Sequence, residues 1–94
     1  MTVKELRREV EKEIDKRGIE AEVGLTDGEN KSVLLVVECF DMTEYNRRKI
    51  LQIADGFSLK LYYDAETSLY FKIPKYYEQE LEEVDNAGLF YDGF

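Results

Sequence analysis

Residues 19–40, which read IEAEVGLTDGENKSVLLVVECF, decide the fold of this chain. Apolar and polar residues alternate over 19–25, and that alternation predicts a half-buried β-strand. The residues DGEN at 27–30 indicate a hairpin turn. Residues 33–40 are apolar on both faces except at Glu38, a pattern typical of a central strand. The stretch therefore predicts an antiparallel hairpin whose second strand lies inside a sheet.

A helix with clear start and stop signals precedes this hairpin. Thr2 and Glu5 have the spacing of a capping box at the N-terminus. Gly18 supplies the left-handed residue of a Schellman ending, in which Ile19 folds back onto Ile14. One apolar stripe at helical spacing consists of Val3, Leu6, Val10 and Ile14.

A second helix is predicted after the hairpin, running to about Asp55 and stopping at Gly56. Asp41 and Glu44 repeat the capping-box spacing, with Phe40 and Tyr45 placed as a hydrophobic staple. The expected buried side consists of Met42, Tyr45, Ile50, Ile53 and Ala54. The side chains expected to point largely outward are Arg47, Arg48 and Lys49.

A second hairpin follows, with strands at 57–63 and 69–73 joined by a turn at 64–67. Pro74 ends its second strand. A third, short and acidic helix is predicted over about 75–86, with Tyr77, Leu81 and Val84 on one side. Residues 87–94 are interpreted as a loose tail or a docked end.

The chain order is thus α-β-β-α-β-β-α, and residues 1–94 form one α+β domain. A right-handed crossover between the hairpins favours a four-stranded antiparallel sheet in the order 1-2-4-3. The first two helices should cover one face, which carries Ala21, Val23, Leu25, Leu59, Leu61, Leu69, Phe71 and Ile73. The opposite face is mixed, and the register decides whether Leu34 and Val36 or Val33, Leu35 and Val37 join it. We expect the third helix, or a second copy of the chain, to cover part of that face.

Composition excludes several classes of function. The chain has 94 residues, no histidine and a net charge of −8, which argues against nonspecific binding to nucleic acid or anionic lipid. Without histidine, and with Cys39 in an apolar strand, we expect no enzyme, no metal site and no cofactor. The lone cysteine, the absence of a signal peptide and the absence of a long apolar run predict a cytoplasmic protein.

The negative charge lies in two blocks. The segments 1–18, 19–40, 41–56, 57–74 and 75–94 sum to +1, −4, 0, 0 and −5, which together give −8. The hairpin block offers Glu20, Glu22 and Glu38 on one sheet face. The C-terminal block offers carboxylates and aromatic anchors for a basic partner: Glu78, Glu80, Glu82, Glu83, Asp85, Phe90, Tyr91 and Phe94. The alternative is that this block is a solvated amphipathic helix with a loose end.

Two resemblances bear on these blocks. Acidic residues beside terminal aromatics resemble the tails of bacterial single-stranded DNA-binding proteins, over the last few residues only and without their Pro-Phe ending. In size and charge the chain is similar to small acidic proteins of phages and mobile elements that disarm host defences, anti-CRISPRs among them. That second resemblance is one of class and rests on no motif.

The leading prediction is a non-enzymatic protein-binding module, an acidic inhibitor or decoy that imitates nucleic acid towards a basic protein such as a nuclease. Clustered carboxylates can occupy a channel lined by Lys and Arg in place of phosphates. One alternative is a single-stranded nucleic-acid binder, in which Lys60, Tyr62, Tyr70 and Lys72 bind bases by stacking and charge. Another is an acidic chaperone or adaptor that forms a dimer through the same face. The chain is predicted to be a monomer or a homodimer.

Overall fold

The structure, a computed structural model, describes residues 1–77. Its elements are α1 (Val3–Lys16), β1 (Glu22–Asp27), a 3-10 turn (Glu29–Lys31), β2 (Val33–Glu38), α2 (Glu44–Gly56), β3 (Lys60–Asp64) and β4 (Ser68–Lys72). The strands form one sheet in the order β1-β2-β4-β3, and every neighbouring pair is antiparallel. The predicted α+β class, strand order and chain order are confirmed through β4. The predicted third helix lies outside the described residues from 78 onward, and residues 75–77 form a turn.

The ends of α1 follow the signals in the sequence. The Thr2 side chain accepts a hydrogen bond from the Glu5 amide at 3.1 Å, and the Glu5 carboxylate accepts one from the Thr2 amide. At the other end Gly18 has φ +71, and the amide of Ile19 donates to the carbonyl of Ile14. These are the bonds of a capping box and a Schellman motif, so both predictions are confirmed.

The first hairpin is shorter than predicted. The strand β1 begins at Glu22 rather than at Ile19, because Ile19 belongs to the Schellman ending of α1. The predicted turn at 27–30 is a 3-10 turn over Glu29–Lys31, in which Asn30 takes a left-handed conformation. The strand β2 ends at Glu38 instead of Phe40.

The start of α2 corrects two predictions. Thr43, not Asp41, is the N-cap, and its hydroxyl accepts a hydrogen bond from the Asn46 amide at 3.0 Å. This shift of two residues removes the predicted staple, because Phe40 is 97% exposed and Tyr45 is 58% exposed. Both residues were predicted to pack inward, and both are outside the core.

The remainder of α2 differs in smaller ways. Ile50, Ile53 and Ala54 are buried as predicted. Arg47, predicted to point largely outward, is half-buried, because its guanidinium pairs with Asp64 at the end of β3. The helix ends at Gly56, as predicted, and the left-handed residue just beyond it is Ser58, which has φ 62.

The first face of the sheet, defined here as the face covered by α1 and α2, carries the hydrophobic core. Its strand residues in that core are Val23, Leu25, Val33, Leu35, Val37, Leu69 and Phe71. Leu61 was predicted to be covered by the helices, and that prediction is wrong. Leu61 lies opposite Phe71 but is 44% exposed. Leu61 lies on the edge strand β3, beside a register shift between Leu61 and Tyr63, and the helices leave it exposed.

Candidate functional site

The second face, which is the other side of the same sheet, has three rows of residues across the strands. The acidic row is Glu22, Glu38 and Ser68; the apolar row is Gly24, Val36, Tyr70 and Tyr63; the basic row is Thr26, Leu34, Lys72 and Lys60. The register therefore places Leu34 and Val36 on the mixed face. The acidic and basic rows are four residues apart on β2, or roughly 13 Å along the strand. The face thus has opposite charges at its two ends.

The acidic row borders an open groove at one end of the sheet. Glu22 and Glu38 are direct partners across β1 and β2. The groove has a volume of about 1030 Å³, and its lining includes Asp15 from the last turn of α1, Glu20 from the connection after it, Phe40 and Thr67. The structure therefore brings together Glu20, Glu22 and Glu38, the three residues predicted from the hairpin block.

Within residues 1–77 these carboxylates have no basic partner. The ion pairs of this part of the chain lie along α1 and between Arg47 and Asp64, away from the groove. Like charges directly opposite each other on neighbouring strands destabilise a sheet. Glu22 and Glu38 therefore cost some folding stability.

Two features of the groove were missed in the sequence. Phe40 was assigned to packing, and Asp15 was treated only as part of the first helix. Thr43 followed by Glu44 is the signal that could have revealed Phe40, because a helix beginning there leaves residues 39–42 as a connection. In the structure the large apolar side chain of Phe40 is exposed to solvent at the rim of the acidic groove.

The basic row meets the tyrosines at the opposite end of the face. The Lys72 ammonium lies 5.2 Å from the centre of the Tyr62 ring, and the Tyr62 hydroxyl donates to the Glu29 carboxylate at 3.3 Å. The Tyr63 and Tyr70 rings are 5.9 Å apart. The structure thus groups the four predicted residues of the alternative site, but Tyr70 is only 7% exposed. Its ring is not available for stacking on a base in this state.

Burial raises the pKa of two tyrosines. The pKa of Tyr70 lies above its ordinary value of 10.0, first because the ring is buried and then because the Glu38 carboxylate is near. Burial also raises the pKa of Tyr77, with a further contribution from Tyr76. The Tyr77 hydroxyl donates to the carbonyl of Phe57 at 2.9 Å, and the ionised side chain has no proton for that bond.

Alkaline pH should therefore destabilise the fold. Below about pH 10 these tyrosines are protonated in both states, and their contribution to stability is complete. Above that pH the unfolded chain releases the protons first, so stability falls as pH rises towards the folded pKa values. Denaturant unfolding at increasing pH should show a shallower fall for Tyr70→Phe than for the wild type. The Tyr45→Phe variant, which removes an exposed hydroxyl, is the control; an equal fall in all three proteins would contradict the assignment.

The C-terminal candidates cannot be placed on this site. Glu78, Glu80, Glu82, Glu83, Asp85, Phe90, Tyr91 and Phe94 lie outside the described residues. Within residues 1–77, no group of three or more His, Cys, Asp or Glu side chains is arranged to hold a metal ion. In the same part of the chain, neither helix has the length and apolar character needed to cross a membrane.

Comparisons with protein-family models, with curated proteins and with solved structures found no match to this chain.

Proposed function

We propose that the protein is a non-enzymatic binding module whose acidic groove takes a basic segment of another protein. The observation that carries this proposal is the facing pair Glu22 and Glu38, which has no cation within salt-bridge distance among residues 1–77. A like-charge pair weakens the sheet, and a partner that supplies positive charge at this place offsets the repulsion.

The rim of the groove favours a protein over a simple cation. Phe40 is almost fully exposed beside Asp15, Glu20 and Glu22. An arginine can bind a carboxylate with its guanidinium and stack its plane on an aromatic ring at once. An arginine-rich segment therefore fits both the charge and the apolar side chain of this groove.

The particular partner we propose is a basic nucleic-acid-handling protein, such as a nuclease, in the cytoplasm. Its Lys and Arg side chains normally hold phosphates, and clustered carboxylates can occupy the same positions. The protein would then act as an inhibitor or decoy. The net charge of −8 supports this proposal, because it speeds encounter with a positively charged surface and repels competing nucleic acid.

A single charge reversal tests the groove. Glu22→Lys places a cation opposite Glu38, which should raise the free energy of unfolding by about 0.2–1 kcal/mol. The same change should weaken binding of an oligo-arginine peptide about tenfold, because it removes one attractive charge and introduces a repulsive one. Stability is measured by denaturant unfolding and affinity by calorimetry at low and physiological salt.

The matched control is Asp55→Lys, an exposed position at the end of α2 that is not part of the groove lining and forms no ion pair among residues 1–77. Both variants change the net charge by two units, from −8 to −6. Equal loss of affinity in the two variants would show that net charge alone attracts the peptide. If Glu22→Lys binds the peptide as tightly as the wild type, the binding site lies outside the groove. Charge reversal at Glu78, Glu82 and Glu83 would then test the other acidic block.

One observation favours a second candidate, binding of single-stranded nucleic acid. Tyr62 and Tyr63 are exposed beside Lys60 and Lys72, and aromatic rings flanked by lysines can stack bases. Binding of a labelled oligonucleotide by the wild type at physiological salt, lost in Tyr62→Ala without unfolding, would favour this candidate over the acidic groove.

A further inference from the structure

A second cavity lies at the end of the sheet that carries the basic row, away from the acidic groove. The 3-10 turn between β1 and β2 forms one of its walls, and the chain around the end of β4 forms another. The cavity has a volume of about 370 Å³. Sites for small molecules typically have volumes of about 300–1,000 Å³, so the size of this cavity suits a small ligand.

The lining of this cavity combines apolar surface with positive charge. Its apolar part consists of Val33, Leu34 and Ile73. Its charged side chains are two lysines and one carboxylate, namely Lys72, Lys75 and Glu29. The lining therefore has an excess of one positive charge, although the chain as a whole has a net charge of −8.

The two lysines of the cavity have no anionic partner in the described part of the chain. The ion pairs within residues 1–77 involve neither Lys72 nor Lys75. Lys72 instead lies directly opposite Lys60 on β3, and like charges in this position destabilise a sheet. An anion bound beside Lys72 offsets that repulsion.

A tyrosine holds one of these lysines in place. The Lys72 ammonium lies 5.2 Å from the centre of the Tyr62 ring, within the range of a cation–π contact. The Tyr62 hydroxyl donates to the Glu29 carboxylate at 3.3 Å. The carboxylate of the lining is thus hydrogen-bonded to a tyrosine and not paired with a lysine, which leaves both ammonium groups available to a ligand.

We propose that this cavity binds a small organic anion, either a carboxylate or a phosphate ester, that has an apolar body. The anionic group binds to Lys72 and Lys75, because an ammonium donates charge-assisted hydrogen bonds to carboxylate and phosphate oxygens. The apolar body packs against Val33, Leu34 and Ile73, where it is removed from water. This inference does not depend on the proposed function, because the acidic groove lies at the other end of the sheet.

The distribution of charge favours a small anion over a polyanion at this site. At physiological ionic strength the screening length is about 8 Å. A ligand confined to the cavity therefore interacts mainly with the lysines that line it. A long polyanion extends beyond this distance and meets the repulsion of a chain with a net charge of −8.

Titration of the full chain with two matched probes tests the site. Benzoate and phenyl phosphate share an aromatic ring and differ in their anionic group, so the tighter of the two shows whether the site prefers a carboxylate or a phosphate ester. At least one of them should shift the amide resonances of Ser32 and Lys75 saturably. Benzyl alcohol, which has no charge, and inorganic phosphate, which has no ring, should each bind about tenfold more weakly.

A matched pair of lysine variants locates the binding. Lys72→Met should weaken binding of the tighter probe about tenfold, because it removes one of the two cations of the site. The control is Lys49→Met on α2, since the Lys49 ammonium lies 5.4 Å from the centre of the Tyr45 ring and does not line the cavity. Both variants remove one positive charge and one contact between a lysine and a tyrosine. Lys49→Met should leave the affinity unchanged.

Three results would overturn the proposal. Equal weakening by Lys72→Met and Lys49→Met would show that net charge alone governs binding. Inorganic phosphate that binds as tightly as phenyl phosphate would show that the apolar lining has no role. No shift with either aromatic probe at millimolar concentration would show that the cavity binds no such anion. If Lys72→Met does not fold, Lys75→Met repeats the test at a position outside the strands, with the same expected weakening.

Discussion

Phe71→Ala should lower the free energy of unfolding by about 3–5 kcal/mol, the cost of a large aromatic removed from a packed core. Phe71 is 1% exposed at the centre of the first face, opposite Leu35 on β2. Truncation removes the free energy gained by burying the aromatic ring, and it leaves a cavity. The strands cannot close this cavity, because the packed helices and the hydrogen bonds between strands hold them in place. Denaturant unfolding followed by circular dichroism measures the loss.

The register supplies the control for this prediction. Leu61 lies directly opposite Phe71 on β3 and on the same side of the sheet, yet it is 44% exposed. Leu61→Ala should therefore cost about 1 kcal/mol or less. Similar losses for the two variants would mean that Leu61 belongs to the core.

Leu6→Ala should cost about 2–5 kcal/mol, the range observed for leucines in closed cores. Leu6 is 0% exposed in the middle of the α1 stripe and packs into the same core as Phe71. The loss should appear in the unfolding midpoint with little change in the slope of the denaturant dependence. The measurement tests whether α1 closes the first face.

Arg8→Ala is the matched control on the same helix. Arg8 is exposed and forms no ion pair among residues 1–77, and alanine is the best helix former. The change should therefore stay within about 0.5 kcal/mol of the wild type. A large loss of stability for Arg8→Ala, together with a small loss for Leu6→Ala, would show that the buried side of α1 is assigned incorrectly.

Local signals predicted the parts of the fold that depend on neighbouring residues. The capping box of Thr2 and Glu5 and the ending at Gly18 need only hydrogen bonds within a few residues. The alternation on β4 is likewise local, and it predicted that Leu69 and Phe71 face the helices. Such features follow from the sequence because backbone geometry and the spacing of side chains define them.

The errors arose where several local solutions compete. Asp41 and Thr43 are both good N-cap residues, and the structure uses Thr43. Ile50, Ile53 and Ala54 of α2 join the core, whereas capping propensity alone does not distinguish Asp41 from Thr43. The same choice left Phe40 in the solvent, so the aromatic side chain at the candidate site could not be assigned from propensity.

The ends of α1, the strand order and the presence of acid in the first hairpin could be read from the sequence, because capping, periodicity and chain handedness act over short distances or through general rules. The pairing of Glu22 with Glu38, the position of Phe40 at their groove and the exposure of Leu61 on the edge strand became visible only in three dimensions. Those features depend on the pairing register, and register is a property of two strands together: a shift of one residue moves every side chain to the opposite face.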